Sequence, residues 1–302
     1  MHDGELPIDE PLVAHPGRAG AVPIGGWFVA GGPPWSTTQP SRTVPESRVP
    51  ATPHLDAPTE TLDEELSTRV DPKAHQYWTA LMKGDAAFRG VPMAGVRAAV
   101  IGSWSAHDLG SWSIEDLLAL AHRWFAGPTS EDQLAAVLLV AEHIHGRLRA
   151  HHVDALAAPL AAGHVRDWNV TDWYATKALH AFLTGRNDEG GEDLDARARA
   201  LVGWTKAPVL WQRRAGLVAF VKLAPRATEL FDGFVPLVLE ACANNLAHEG
   251  RFAHTGPGWV LRELSRVVPV EVGAFVAAHP EMSAEARRMA TARLQPGPYR
   301  RR

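Results

Sequence analysis

Ser130-Glu131-Asp132-Gln133-Leu134-Ala135-Ala136-Val137-Leu138-Leu139-Val140-Ala141-Glu142-His143-Ile144 is the stretch that decides the fold class. Leu134, Val137, Leu138, Ala141 and Ile144 recur at i, i+3, i+4 and i+7, the stripe of an amphipathic helix. Ser130 lies three residues before Gln133, with Glu131 and Asp132 between them, a capping-box-like start that predicts a helix over 131–147. Moving toward the N-terminus, Ser113-Ile114-Glu115-Asp116 has the same character and predicts a helix over 114–125. Asp71-Pro72 opens an earlier helix with Tyr77, Leu81 and Met82 on one face, since proline is tolerated in a first helical turn.

Toward the C-terminus, helical spacing predicts helices near 152–162, 170–184, 195–205, 208–223, 233–247, 257–267, 270–279 and 284–294. Asn187 to Gly191 and Glu249 to Gly256 read as connecting loops, from glycine, polar residues and absent apolar spacing. β-branched alternating runs are missing from 71 onward. The helices pair, and units begin near 130, 169 and 208, a period of about 40 that falls in the HEAT and armadillo range. Each pair is amphipathic and buries its apolar face only by stacking on its neighbours. The predicted class is therefore all-α, a HEAT-like helical-repeat solenoid (an α-α superhelix) whose second helices line one concave surface. A plain helical bundle gives the same apolar spacing.

Residues 1–66 read differently. Gly31-Gly32-Pro33-Pro34 and Val49-Pro50-Ala51-Thr52-Pro53 are typical of it, and proline removes the amide donor and fixes φ. With few clustered apolar residues, the segment is predicted to be a disordered or loosely ordered N-terminal extension ahead of a repeat domain over 67–302. Trp27, Phe28 and Trp35 either dock on that domain or stay free.

Composition excludes several classes. Cys242 is the only cysteine, so neither an intrachain disulfide nor a multi-cysteine zinc site is available. No apolar run approaches the roughly 18 residues of a membrane span, and the start lacks a signal-peptide pattern, which together predict a cytoplasmic protein. Glu142, His143, His145, His151 and His152 resemble a metal cluster but lack its spacing and read as solvated histidines at a helix end. No Walker loop, dinucleotide fingerprint or nucleophile elbow is present.

The formal charge of −4 conceals a division. Residues 1–70 carry 4 Lys/Arg against 10 Asp/Glu, and the remainder carries 26 against 24. Between 196 and 226, Arg197, Arg199, Lys206, Arg213, Arg214, Lys222 and Arg226 occur without an acid. This stripe is either a phosphate-binding footprint or a solvated face of two helices.

Three predicted lining helices share an uncommon set of residues. One begins Asp167-Trp168-Asn169-Val170-Thr171-Asp172-Trp173, with Trp168 and Asp172 four apart and so on one face if the helix already runs at Trp168. The next carries Leu210-Trp211-Gln212-Arg213-Arg214, and the third Gly258-Trp259-Val260-Leu261-Arg262-Glu263-Leu264. In order and spacing these resemble the AlkD-type alkylpurine DNA glycosylases. Tyr77, Leu81-Met82-Lys83 and Phe88-Arg89-Gly90-Val91-Pro92 are similar to that family's first helix and turn, and Glu131-Asp132-Gln133 to its next capped helix. The resemblance spans roughly 71–294. Asn169 departs from it, where an acid is usual, as does His254-Thr255-Gly256-Pro257 before the third motif.

The resemblance implies a monomeric enzyme that removes cationic N3- or N7-alkylated purines from double-stranded DNA without flipping them, using no cofactor and no metal. It implies Asp172, Trp168 and Trp259 as the catalytic group, and DNA contacts from Arg213, Arg214, Arg262 and Lys206. Which of Arg213 and Arg214 matches the family arginine stays open. The chemistry suits these residue types. An alkylated purine already carries positive charge and leaves without a protonating acid, while the deoxyribose becomes cationic and is stabilised by a nearby carboxylate and by indole faces. Each residue also has a plainer use: Asp172 favouring a helix dipole, Trp168 stapling a helix start, Trp211 and Trp259 packing. Two other functions are compatible with the pattern: a non-catalytic DNA-binding module and a protein scaffold.

Overall fold

The computed structural model describes residues 53–83, 86–185 and 194–294, all within the second of two units of the chain, 47–302. Trp27, Phe28 and Trp35, most of the 1–66 extension and the 187–191 loop lie outside the described residues. Among the described residues are fourteen α-helices and no strand. None of these helices is long and apolar enough to cross a membrane.

The helices stack as pairs. α1 (Asp56–Ser67) packs on α3 (Met93–Ala106), and α4 (Ile114–Phe125) on α5 (Ser130–Leu138). α6 (Val153–Ala161) is followed by a rod built from α7 (Trp168–Trp173), a π-helical turn (Tyr174–Leu179) and α8 (His180–Thr184). α9 (Leu194–Trp204) packs on α10 (Leu210–Val218), α11 (Phe234–Leu246) on α12 (Arg251–Leu264), and α13 (Pro269–Ala278) on α14 (Ala284–Thr291). The second helices form a continuous row: α3 touches α5, α5 touches α7, α7 touches α10, α10 touches α12, and α12 touches α14. Four of them begin at 130, 168, 210 and 251, the repeat of about 40 that defines a helical solenoid. α2 (Pro72–Met82) interrupts the first pair and buries only Met82.

The core lies between the two rows. Trp124, Phe125, Tyr174, Phe182, Phe220 and Phe234 are its largest fully buried apolar side chains. Phe125 meets Tyr174 edge-on at 5.1 Å, and the Tyr174 hydroxyl donates to the Leu156 carbonyl at 2.7 Å. Burial raises the Tyr174 phenol above its ordinary value, so it stays protonated and serves as a donor inside the core.

α4 runs over 114–125 as its sequence predicts, and Ser113 accepts from the Asp116 amide at 3.0 Å. The predicted 131–147 helix is present but composite, with α5 passing into a π-helical turn (Leu139–Ile144) and a 3-10 turn (His145–Arg147). Its cap is one residue earlier than predicted: Asp132 accepts from the Thr129 amide and hydroxyl at 2.9 and 2.7 Å.

Two expectations are corrected. The loosely ordered extension does not reach residue 66, because 56–67 forms α1, whose Leu62 and Leu66 are buried against the repeat domain. Pro58 lies in the first turn of α1, where its missing amide has no intrahelical partner to lose, and its carbonyl accepts from Ser103. The predicted loop over 249–256 is largely helix, because α12 starts at Arg251 and carries Pro257 in its interior. An interior proline normally breaks a helix. Here packing on both sides holds it: Gly258 lies so close to α14 that a Cβ would stand 2.8 Å from the Ala286 carbonyl oxygen.

One clasp closes the first repeats. The buried Glu131 carboxylate accepts from the backbone amides of Arg89, Gly90 and Val91 at 3.0, 2.8 and 3.0 Å. Arg89 in turn pairs with Asp132 and Asp63 at 2.9 and 2.7 Å. Gly90 has φ +90°, and a Cβ there would lie 2.6 Å from the His75 Cβ. The Phe88-Arg89-Gly90-Val91 and Glu131-Asp132 motifs are thus two halves of one structural lock.

Candidate functional site

The site is assembled where α7, α10 and α12 run side by side. Asp167 caps α7 by accepting from the Val170 amide at 2.9 Å, so the helix already runs at Trp168. Trp168 and Asp172 therefore share a helix face one turn apart. Asn169, Val170 and Thr171 are buried, whereas Trp168 and Asp172 are half-buried. The π-helical turn begins two residues after Asp172, and Thr176 donates to the Asp172 carbonyl across it at 2.6 Å. Such wide turns are frequent at functional sites.

Arg214 answers Asp172 from α10. Its Nε donates to Oδ1 at 2.8 Å and its Nη2 to Oδ2 at 2.9 Å, a planar bidentate fork. The arginine side chain is 6% exposed and the aspartate 17%, so the cation is sealed while the aspartate side chain stays partly accessible. A buried ion pair adds little net stability, because desolvation offsets the Coulomb gain. What the pair secures is the carboxylate's orientation. Arg214 Nη1 donates to the Phe252 carbonyl and to Thr255 Oγ1, both at 3.2 Å, and its Cζ lies 5.6 Å from the Phe252 ring. Trp211 packs against Phe252 at 5.1 Å.

Trp259 follows Phe252 by seven residues and Thr255 by four, placing it on the same face of α12 and beyond them along the helix. It is half-buried and packed on the core. Asp172 and Arg214 are thus in direct contact, Trp168 shares the face of the first, and Trp259 continues the face that holds the second.

The other predicted contacts distribute differently. Arg213 turns away from Asp172 and donates to the Ala207 and Pro208 carbonyls at 2.8 Å each. It is 6% exposed, and burial lowers its guanidinium below the ordinary value. Arg213 thus clamps the turn before α10, and Arg214 is the arginine at the carboxylate. Arg262 is paired with Glu263 at 2.9 Å, and that carboxylate also takes Arg266 and Arg293. Lys206 is exposed and paired with Glu240 at 2.9 Å.

The 196–226 stripe does not survive as a free basic surface. Arg199 pairs with Asp195, Lys206 with Glu240 and Arg226 with Glu229, while Arg197 is buried against the Phe182 and Gly185 carbonyls. The acids lie just outside the window or on a neighbouring helix, where a linear count misses them. A smaller basic pair takes its place. Lys222 is lowered below the ordinary lysine value first by burial and then by Lys177. Lys177 lies 5.5 Å from the Trp173 ring. His180 is pushed down to about 4, chiefly by burial, then by Lys222 and Lys177. Lys177 follows Asp172 by five residues, in the π-helical turn, and Lys222 follows Arg214 by eight, in the turn beyond the end of α10.

Sequence reading missed Phe252 and Thr255 because 249–256 read as a loop. Among the described residues, no three His, Cys, Asp or Glu side chains gather as a metal-binding group. Glu142 is bonded to Arg97, and the His143 ring lies 4.5 Å from Trp104.

Comparison with known proteins follows the same lines. The solved structure described as a predicted DNA alkylation repair enzyme from Enterococcus faecalis matches with a TM-score of 0.62 at 19% identity. The match covers 76% of this chain and 98% of that one and shows a shared fold. No curated protein matches the chain. The family model described as DNA alkylation repair enzyme matches residues 62–294, from within α1 to the end of α14, spanning both the clasp and the Asp172–Arg214 site. By that match over most of its length, the chain belongs to the DNA alkylation repair enzyme family.

Proposed function

We propose that the chain is a monofunctional glycosylase that hydrolyses the N-glycosidic bond of cationic N3- or N7-alkylated purines in duplex DNA. The observation that carries this reading is the Asp172 carboxylate, fixed by the Arg214 fork on a side chain that stays partly accessible. The C1′–N bond breaks, and its electron pair leaves with the base, which departs as a neutral alkylpurine. Asp172 stabilises the oxocarbenium-like sugar electrostatically, a water oxygen adds to C1′, and the water's proton is released. Trp168 and Trp259 offer indole faces to the cationic sugar and base, worth about 0.5–2 kcal/mol each. Lys177 and Lys222 take backbone phosphates, with Lys206 and Arg262 contributing. Acting as a monomer without a cofactor, the protein does this chemistry on a base that stays in the duplex.

The test is release of 7-methylguanine from methylated duplex DNA, with Asp172→Asn alongside. Activity in the wild type that largely disappears in the variant supports the reading, whereas equal release from both refutes it. A second reading, a non-catalytic DNA-binding module, draws on the same pair, since Arg214 engages both carboxylate oxygens. It predicts strongly salt-dependent binding with no base released from the methylated duplex.

A further inference from the structure

Among the described residues, Arg214 is the hydrogen-bond partner of both Asp172 side-chain oxygens, so the carboxylate is only as fixed as that guanidinium. The guanidinium is fixed from the far side by α12, through the Phe252 carbonyl and Thr255 Oγ1 on Nη1, with the Phe252 ring against it. Thr255 is buried. α12 is itself pinned at this end. Arg251 forks onto Glu285 of α14 at 2.8 and 2.7 Å. The Ser283 amide donates to His254 Nδ1 at 3.1 Å, which leaves Nε2 to donate to the His248 carbonyl at 3.0 Å. These contacts all fall in 251–255, the first turns of α12. We propose that Thr255 is a positioning residue for the Asp172 carboxylate: with the Phe252 carbonyl it anchors Arg214 Nη1, transmitting the rigidity of the α12–α14 contact to the reacting centre.

The kinetic consequence rests on the glycosylase reading, but the positioning itself does not. Removing the hydroxyl leaves Arg214 with one anchor on α12 and lets the fork swing with the carboxylate. Two measurements on the full chain test this. Single-turnover release of 7-methylguanine from methylated duplex DNA is compared for wild type, Thr255→Val and Thr255→Ser, with DNA affinity measured separately. Rotation of the Arg214 guanidinium about its Nε–Cζ bond is measured by NMR in the same three proteins.

Thr255→Val is expected to lower the release rate about tenfold at unchanged affinity, the scale of one lost hydrogen bond to a charged group. Thr255→Ser, which restores the hydroxyl, is expected to stay within about twofold of wild type. Guanidinium rotation is expected to quicken in Thr255→Val alone. Unaltered rotation in Thr255→Val overturns the proposal whatever the rate does. Faster rotation with an unaltered rate overturns its kinetic half. A wild type that releases no base defeats the glycosylase reading, and rotation then decides the positioning role by itself.

Discussion

Two carboxylates near the starts of successive second helices are held in opposite ways. Glu131, on α5, is 2% exposed and accepts three backbone amides from the 89–91 turn. Asp172, on α7, accepts one arginine fork and its side chain stays partly accessible to solvent. The first carboxylate is saturated, and its charge is spent on closing a turn. The second is oriented but not sealed, so its field reaches outward. Burial and partner type, more than the presence of an acid, separate a structural carboxylate from one available for chemistry.

The sharpest way to break this contrast is to neutralise each acid. Asp172→Asn keeps the size and one acceptor but removes the charge, and it should lower base release by about 10²- to 10³-fold, roughly 3–4 kcal/mol. Circular dichroism should show the fold retained. A variant that loses structure along with activity would place Asp172 beside Glu131 as a structural group. Glu131→Gln should do the reverse: urea denaturation should show a loss of about 2–3 kcal/mol, while release per folded molecule stays near wild type.

Acid titration sharpens the contrast next. His180, the first residue of α8 in the rod that holds Asp172, is held at about 4 chiefly by burial, against an unfolded value near 6.5. Its contribution to stability is complete above about pH 6.5 and is lost as pH falls toward 4, by on the order of 2–3 kcal/mol. His122 and His164 shift in the same direction, through burial first and then through His164 for the former and Arg166 for the latter. Melting temperature should therefore fall across this window, and an acid-insensitive midpoint would contradict it.

The smallest effect concerns the basic pair. Lys222→Ala should reduce the dependence of log affinity on log salt by about 1 and weaken all duplexes alike. It should also raise the His180 pKa, since Lys222 helps to hold it down. An unchanged salt slope would remove Lys222 from the DNA path.

Local physics decided much in advance. Helical periodicity and short-range caps depend on residues three or four apart, so the all-α class, the bounds of α4 and the repeat of about 40 were legible in the sequence alone. Trp168 and Asp172 share a face for the same local reason. Tertiary packing settled what depends on distant partners. Leu62 and Leu66 make 56–67 a helix despite its proline-rich neighbourhood, and α14 lets α12 run through Pro257. Only the fold could separate Arg213 from Arg214, since neighbours in sequence point about 100° apart on a helix and meet different partners. Only the fold could show that most cations between 196 and 226 are already paired, because the acids that pair them lie beyond the window or on another helix. Sequence thus fixes which residues share a helical face, while three-dimensional packing fixes what that face meets.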